Sequence, residues 1–302
     1  MIDQPIVIGL GELLWDCFQD SRRPGGAPAN VAYQANQLGC EGVVCSRIGQ
    51  DALGEELAAF LESQGISTRT LQFDSEHATG TVTVEMKEGN HPEYTIHEDV
   101  AWDAMEFTPD WQKVMQSAAA VCFGSLAQRH EPSHHTIHQC LDTTGKDCLI
   151  VYDVNLRQDF YSRDILEESL KACRVVKLNH EELSVIGSLL EISDADEQQF
   201  ARDLQSRYGV EMIVLTRGEN GCLLLSEDDV VDVPGQKIEV ADAVGAGDAF
   251  TAGLISALLK DWPLRTAGQF ANSVGAMVAS RSGAMPDLKS EYSELIDQFQ
   301  PS

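Results

Sequence analysis

Short apolar runs alternate with amphipathic stretches along most of the chain. The apolar runs are rich in strand-forming residues and predict buried strands, whereas the amphipathic stretches carry apolar side chains at helical spacing and predict helices. Alternation of this kind is typical of a mainly parallel sheet with helices on both faces. The predicted strands are 5–10, 42–48, 119–123, 148–154, 174–178 and 211–215, and the predicted helices are 29–38, 53–64 and a stretch around 195–208.

The segment 79–100 departs from this rhythm. Its sequence alternates apolar and polar residues with period two around an E-G-N turn, which is typical of an antiparallel hairpin. A hairpin that projects from an α/β body is either a homodimer contact or a lid over a site. No internal repeat or low-complexity linker is found, so we expect a single domain over 1–302 with a small β lid from about 12–24 and 79–102. Trp102 belongs either to this lid or to core or dimer packing.

The chain is strongly acidic, with 21 Lys and Arg residues against 48 Asp and Glu residues, a net charge of −27 and a pI of about 4.4. Such a surface repels phosphate backbones and anionic lipid, which argues against nucleic-acid or membrane partners. A protein of this charge that binds an anionic ligand must gather its few cations locally or recruit metal ions.

The N-terminal stretch MIDQPIVIGLGELLW does not resemble a signal peptide, because it has an acidic third residue and only a short apolar run. The eight cysteines are scattered and form no C-x-x-C pair, so we expect reduced thiols. Together these features predict a cytoplasmic location.

The stretch DAVGAGDAF, at 242–250, is almost free of large side chains just before one aspartate. Apolar residues follow at helical spacing, so Asp248 is predicted at or just before a helix N-terminus. Unshielded backbone N–H groups and the helix dipole attract anions at such a place. The structural alternative for Asp248 is a helix N-cap, the commonest role of aspartate there.

Two other phosphate-binding motifs are excluded by their spacing. A Walker loop requires G-x-x-x-x-G-K-[ST], but the pair Gly145-Lys146 is followed by Asp147 and lacks the upstream glycine. A dinucleotide fingerprint requires G-x-G-x-x-G after the first strand, where Gly9 and Gly11 have no third glycine.

Polar clusters follow several of the predicted strands or open the predicted helices. Because the carboxyl ends of parallel strands meet at one edge of a sheet, such clusters predict one site assembled from many loops. They are GELLWD (11–16), GGAPAN (25–30), DVNLR (153–157), NHEE (179–182) and LTRGENG (215–221).

These motifs resemble those of the PfkB, or ribokinase-like, carbohydrate kinases, and the match runs from Gly9 to about Asp287. GGAPANVA resembles the first signature of the family and VADAVGAGDAFTAGL the second. Among the subfamilies, GELLWD, GGAPANVA and the D-x-N-L-R segment are most similar to fructokinases. The resemblance implies a ribokinase-like three-layer α/β/α fold with a small antiparallel β lid. It also implies ATP-dependent phosphorylation of a small sugar, fructose in the first place.

The resemblance implies a catalytic group around the second signature. Catalysis of phosphoryl transfer depends mainly on positioning the two reactants and on a positive field around the γ-phosphate. The amides of Gly245, Ala246 and Gly247 would form an anion hole, and Asp248 would be the base that accepts the proton of the sugar hydroxyl. Arg157 would bridge the sugar and the γ-phosphate, with a surface salt bridge as its structural alternative.

The remaining implied residues fall into three groups. The sugar would be bound by Asp16, Gly25, Gly26 and Asn30, together with Arg157 and Asp248. ATP would contact Asn179, Thr216, Gly218, Gly221, Asn272 and the anion-hole residues Gly245 and Gly247, while Glu182 would hold Mg²⁺ through water. A monovalent cation, K⁺ in this family, would contact Asp242, Val244, Val278, Arg281 and Gly283. Ala243-Val244 replaces the family's threonine pair there, which keeps carbonyl ligands and removes hydroxyl support.

The sequence is also compatible with different substrates and with a different class of function. Ketodeoxygluconate, ribose or a nucleoside could be the acceptor; an acidic substrate would need an additional cation, for which Arg22 and Arg23 are available. A kinase for phosphorylated sugars and a catalytically inactive sugar or nucleotide sensor also stay open.

The histidine-rich stretch HEPSHHTIHQC allows a metal site as well as a simple helix start. His130, His134 and His138 stand four apart, a spacing that suits zinc on a helix. Pro132 and the absence of a further ligand nearby favour a solvated helix start instead.

Overall fold

The computed structural model describes residues 4–87 and 91–300. Strands and helices alternate within these residues as the hydrophobic pattern predicts, and each predicted strand is found within one or two residues of its expected bounds. The strands of the described residues are β1 (Ile6–Leu10), β2 (Leu14–Cys17), β3 (Arg22–Gly25), β4 (Glu41–Gly49), β5 (Leu71–Asp74), β6 (Gly80–Lys87), β7 (His91–Ile96), β8 (Ala120–Gly124), β9 (Leu149–Asp153), β10 (Val175–Asn179), β11 (Met212–Thr216), β12 (Cys222–Leu225) and β13 (Val230–Val233).

Nine of these strands form one large sheet in the order β13-β12-β11-β10-β9-β8-β1-β4-β5. All pairings from β11 to β5 are parallel, and only β12 and β13 add an antiparallel edge. The carboxyl ends of seven parallel strands therefore lie along one edge of the sheet, which is where ligands bind in such folds.

Helices cover both faces of the large sheet. Adjacent residues of β1 show the two sides, because Val7 belongs to the apolar core formed with α1, α8, α9 and α10, while Ile8 belongs to the core formed with α3 to α7. The resulting three-layer α/β/α architecture confirms the predicted fold class. The helices of the described residues are α1 (Ala27–Gln37), α2 (Ala52–Ser63), α3 (Pro109–Ser117), α4 (Glu131–Asp142), α5 (Arg163–Ala172), α6 (His180–Leu190), α7 (Glu197–Tyr208), α8 (Ala246–Leu258), α9 (Leu264–Ala279) and α10 (Lys289–Phe299).

A second, four-stranded sheet in the order β3-β2-β6-β7 is built from the two predicted lid segments. We call it the lid sheet. Its β2–β3 and β6–β7 pairings are antiparallel, as predicted, and the join between the two hairpins, β2–β6, is parallel. Val82 and Val84 are buried while Thr81 and Thr83, which alternate with them, are half-buried, which confirms the period-two pattern. The E-G-N turn at 88–90 lies outside the described residues.

Trp102 is fully buried and belongs to the core, which decides between its two interpretations. Its indole lies against Gly80 at the start of β6, where a β-carbon would approach the indole nitrogen to 2.3 Å. The Arg129 guanidinium lies over the ring, 4.0 Å from its centroid. The side chain thus supports the start of β6 in the lid sheet.

Among the described residues, no helix combines the length and apolarity needed to span a bilayer.

Candidate active site

The second glycine signature forms the start of α8, with Gly245 as the N-cap residue and Asp248 in the first turn. Asp248 is therefore not the N-cap, and its side chain points elsewhere. Its Oδ2 accepts a hydrogen bond from Asn30 Nδ2 at 2.7 Å, which joins the two family signatures across 218 residues of sequence. The structure thus brings together the two residues that sequence places at the sugar and at the reacting hydroxyl.

Glycine is required for steric reasons at position 245, the N-cap of α8. Gly245 has φ of 77°, and a β-carbon there would lie 2.4 Å from the β-carbon of Ala284. Gly247 is exposed, and a β-carbon there would lie 3.2 Å from Lys177 Nζ. Gly245 and Gly247 thus place no side chain over the amides of this turn, which lies at a helix N-terminus, as an anion site needs. The amide of Ala246 between them donates to Ala243 O at 3.3 Å.

Lys177, which the sequence motifs do not include, lies beside this turn in a buried ion pair. Its Nζ donates to both carboxylate oxygens of Asp153 at 2.9 and 3.2 Å, and Thr251 Oγ1 donates to Asp153 Oδ2 at 2.8 Å. Burial is the largest single influence and lowers the pKa of Lys177, but the combined charges of Asp153, Glu182 and Asp248 outweigh it, so the pKa is raised. A fixed ammonium group therefore lies next to Gly247. The sequence signal for it is a lysine inside the apolar strand RVVKL.

Asp248 has a shifted pKa that suits a base near neutral pH. Burial, with a contribution from the charge of Asp153, raises it to about 6. The hydrogen bond from Asn30 and the charges of Lys177 and Arg157 act in the opposite direction and limit the shift. The carboxyl is thus mostly ionised at pH 7 and is a stronger base than an ordinary aspartate.

Asp16 and the first glycine signature form the part of the candidate site next to Asp248. Asp16 lies within β2 of the lid sheet rather than directly after β1, and burial raises its pKa to about 6. A β-carbon at Gly25 would lie 2.6 Å from Asp16 Oδ2, so glycine leaves room for this carboxylate. Gly26, with φ of 109°, is the N-cap of α1 and would clash with the Glu12 carbonyl if it carried a β-carbon.

Glu12 is a second group to which the sequence motifs assign no role. Its side chain is 2% exposed, and its Oε1 accepts a hydrogen bond from Ala27 N at the start of α1. Its Oε2 is buried and has no hydrogen-bond partner among the described residues. Burial raises the pKa of Glu12 to about 7, and the nearby charge of Asp248 adds to the shift. Glu12, Asp16 and Asp248 thus form a group of three carboxyls with raised pKa values.

Arg157 is exposed in the loop after β9, and its charge lowers the pKa of all three of these carboxyls. Its guanidinium donates a hydrogen bond to the carbonyl of Leu156 at 3.1 Å rather than to a carboxylate. Gln158 Nε2 in the same loop donates to Tyr94 O on β7 at 2.9 Å. The loop is therefore fastened to the lid sheet while the guanidinium stays available to a ligand.

Asn179 and Glu182 form a reciprocal capping box at the start of α6. Glu182 is 5% exposed, and its two oxygens accept from Asn179 N at 2.8 Å and Leu156 N at 2.9 Å. It is therefore a buried cap rather than an exposed residue at a helix start. It also fixes the loop that precedes Arg157. Each carboxylate oxygen keeps a second lone pair, so the residue fits an indirect, water-mediated contact with Mg²⁺.

The residues predicted for ATP lie on neighbouring elements. Asn179 and Thr216 are register partners at the carboxyl ends of β10 and β11. The turn after β11 contains Gly221, whose φ of 91° and close approach to Val233 O exclude a side chain. Asn272 on α9 donates to Pro234 O at 3.3 Å. Gly218, in the same turn, also has a positive φ of 55°.

The residues predicted for a monovalent cation surround the carboxylate of Asp242. Its Oδ1 accepts from Val244 N at 3.1 Å and its Oδ2 from Gly283 N at 3.1 Å. Arg23 of the lid sheet also donates to Oδ2, at 2.8 Å, so a guanidinium cation already contacts this carboxylate. The carbonyl of Val278 accepts from Arg281 N, which uses one of the predicted carbonyl ligands.

Comparisons with known proteins identify the family of the chain. A family model described as pfkB family carbohydrate kinase matches residues 4–291. A sugar kinase of Pyrococcus horikoshii is 33% identical over 298 residues, with 92% of this chain and 91% of the relative covered. The solved structure of an uncharacterized sugar kinase from that organism in complex with ATP superposes with a TM-score of 0.80 at 30% identity, covering 96% of this chain and 99% of that one.

Fructokinases are found at lower identity. Fructokinase-1 of Zea mays is 29% identical over 286 residues, which cover 89% of this chain and 86% of the relative. A Vibrio cholerae fructokinase structure with fructose, ADP and potassium bound has a TM-score of 0.81 at 23% identity, over 98% of this chain and 99% of that chain. The second likeness shows the fold alone.

Proposed function

The chain belongs to the pfkB family of carbohydrate kinases, and from this premise we propose that it transfers the γ-phosphate of ATP to a hydroxyl of fructose. The observation that carries the proposal is the contact of Asn30 with Asp248 beside an unshielded helix N-terminus and a buried lysine. This arrangement combines a base, a group that positions the acceptor and a positive field.

The proposed reaction uses each of these groups once. Asp248 orients the acceptor hydroxyl and takes its proton as the new O–P bond forms and the bond from the γ-phosphorus to ADP breaks. The amides of 245–247, the adjacent Lys177 ammonium and the Arg157 guanidinium stabilise the charge on the transferring group. A lid that excludes water favours the sugar over hydrolysis.

The choice of an uncharged sugar is supported by the ion pairs of the lid sheet. Arg22 is paired with Glu56, and Arg23 is paired with Asp242. Both cations that an acidic or phosphorylated sugar would need are therefore already bound to carboxylates. A substrate carboxylate would also approach Asp16 and Asp248, which repel it when they are ionised. Fructokinase relatives at 29% identity support the same choice.

The metal ions are part of the proposal. Glu182 and Asn179 are the residues that would hold Mg²⁺ through water, and the ion supplies charge neutralisation at the phosphates when it is bound. K⁺ would bind at Asp242, where it competes with the guanidinium of Arg23. We also propose a cytoplasmic location. We further propose that two copies of the chain form a homodimer through the lid sheet, and sedimentation of the purified protein tests whether it is a dimer.

The proposal is tested by ADP release over a panel of fructose, ribose, ketodeoxygluconate, a nucleoside and a phosphorylated sugar, with and without K⁺. We expect the highest kcat/KM for fructose. Asp248→Asn keeps the shape of the side chain and removes the base, so we expect kcat to fall about 10²–10⁴-fold.

Asp261→Asn is the matched control, because Asp261 is exposed just beyond the C-terminal end of α8, at the opposite end of the helix from Asp248. We expect this variant to retain wild-type kcat. Wild-type ADP release from Asp248→Asn would contradict the proposed base. Sugar binding without any sugar-dependent ADP release in the wild type would instead favour the sensor, and a preference for another acceptor would overturn fructose alone.

A further inference from the structure

The histidine-rich helix α4 contributes to a cluster that the proposed kinase chemistry does not use. His134 and His138 lie one helical turn apart on α4, and Glu168 faces them from α5. One ligand atom from each of the three residues lies within 4.8 Å of the other two, and no other such group of three or more is found among the described residues. The third ligand, absent from the local sequence, is thus supplied by a helix some thirty residues further along the chain.

The distances within the cluster are close to those of a metal site. His134 Nε2 lies 2.9 Å from Glu168 Oε2, and the two imidazole rings are 4.8 Å apart at their centroids. Ligand atoms about 2.0–2.1 Å from a tetrahedral ion are roughly 3.3 Å from one another, so small side-chain rotations accommodate the ion. The ion would replace the proton that His134 and Glu168 share.

A buried glutamine fixes which ring nitrogen carries the proton in the neutral form of His138. Gln128 Nε2 donates to Gly124 O at 2.8 Å and to Ser169 Oγ at 2.9 Å, so its Oε1 must be the acceptor that faces His138 Nε2 at 3.1 Å. His138 is then protonated at Nε2 and keeps the Nδ1 lone pair for a metal. Such an outer partner is typical of metal-binding histidines.

We propose that His134, His138 and Glu168 bind a divalent transition-metal ion, zinc in the first place, which joins α4 to α5. Two imidazoles and one carboxylate suit Zn²⁺ and also Co²⁺ or Ni²⁺, with water as a fourth ligand. His130, the third histidine of the sequence motif, is not part of the site, because it lies at the N-cap of α4 near Glu98 and Asp103. The site is separate from the residues assigned to ATP and sugar.

The experiment is a titration of the chelator-treated full-length protein with Co²⁺ and Zn²⁺, followed by absorption, calorimetry and thermal unfolding. We expect one equivalent of Co²⁺ with ligand-field bands and without thiolate charge transfer, since seven of the eight cysteines are buried. We also expect Zn²⁺ to raise the Tm. His134→Ala should weaken binding by more than about 100-fold, because losing a ligand exceeds the roughly 10–100-fold effect of losing an outer partner.

Two further variants sharpen the test. Glu168→Gln keeps a hydrogen-bond acceptor for His134 and removes the anionic ligand, so it should fold normally and lose the Zn²⁺-dependent rise in Tm. His135→Ala is the matched control, because His135 lies on the same helix and outside the cluster; it should bind as the wild type does. No Co²⁺ binding by the wild type, or unchanged binding by Glu168→Gln, would overturn the proposal.

Discussion

The two sides of the proposed active site differ in the carboxyls that they offer to a ligand. On the side proposed to bind the sugar, formed by Glu12, Asp16, Asn30 and Asp248, three carboxyls have raised pKa values. The side proposed to bind ATP is formed by Asn179, Thr216, the turn 218–221 and Asn272. Its carboxylates are the exposed Glu219 and the buried Glu182, which is already bonded to the backbone amides of Asn179 and Leu156.

The proposed function would use this difference to keep the two substrates apart by charge. Carboxyls accept hydrogen bonds from sugar hydroxyls and repel phosphates, so they would keep ATP from the sugar site. Lys177 and the amides of 245–247 would lie at the border and provide the positive field for the transferring phosphate. In a chain with a net charge of −27, a buried ammonium group thus lies where the proposal places that phosphate.

Removal of the buried ammonium has the largest expected effect on this comparison. Lys177→Met leaves Asp153 buried and unpaired, so we expect a loss of about 3–5 kcal/mol in the free energy of unfolding. We also expect kcat to fall about 10²-fold, the usual effect of losing one stabilising group. Lys171→Met, at a 61% exposed lysine of α5, is the control and should change neither denaturation nor rate.

The double variant Asp153→Leu/Lys177→Met separates stability from catalysis. It removes both charges, and we expect most of the stability to return while kcat stays low. Recovery of kcat together with stability would mean that Lys177 acts only in folding.

A methyl group at the phosphate site has a smaller expected effect. Gly247 does not have a positive φ, so Gly247→Ala should fold normally and even gain helix propensity at the start of α8. Its β-carbon would nevertheless stand over the anion hole near Lys177, and we expect kcat to fall about 10–100-fold. Gly145→Ala, in an exposed turn with only one atom within 4 Å of the new β-carbon, should retain full activity.

The carboxyl cluster predicts a pH-dependent change in stability. The pKa of Glu12 is raised to about 7 in the folded state, so its contribution to stability is full below the unfolded pKa and is lost as pH rises through 7. Glu12→Gln should therefore stabilise the protein by about 1–3 kcal/mol at pH 8 and by much less at pH 5. Urea unfolding at both pH values measures this, and an equal effect at each would exclude titration of Glu12 as its cause.

Titration of Asp248 gives the smallest expected change. Because its pKa is raised to about 6 and the base must be ionised, kcat/KM for the sugar should fall about tenfold per pH unit below 6 and level off above 7. A profile that is flat down to about pH 4.5 would show that Asp248 keeps an ordinary pKa or is not the base.

The sequence predicts the fold and the signature residues of the site for a physical reason. Hydrophobic periodicity predicts which faces of the helices and strands are buried. The glycines before Asp248 indicate where the backbone must be free of side chains. Neither pattern records pairs across strands. Lys177 and Asp153 meet because β9 and β10 are neighbours in register, and Arg23 meets Asp242 across 219 residues. Glu168 completes the histidine cluster only because α5 packs beside α4.

The pKa values are also beyond the reach of the sequence. An ordinary aspartate with a pKa near ~4 is the expectation for Asp248 from its residue type, and burial beside Asp153 raises its pKa instead. Burial of Glu12 depends on how α1 docks on the loop after β1, which a local pattern does not contain. The exposure of single side chains therefore follows only from the three-dimensional arrangement.

The most direct test of the account is a crystal structure of the protein with fructose and a non-hydrolysable ATP analogue. We expect γ-phosphate oxygens about 2.7–3.1 Å from the amides of 245–247, with one fructose hydroxyl within hydrogen-bond distance of Asp248 and in line with the phosphorus. A γ-phosphate bound away from the start of α8, or a sugar that does not contact Asp248, would contradict the account.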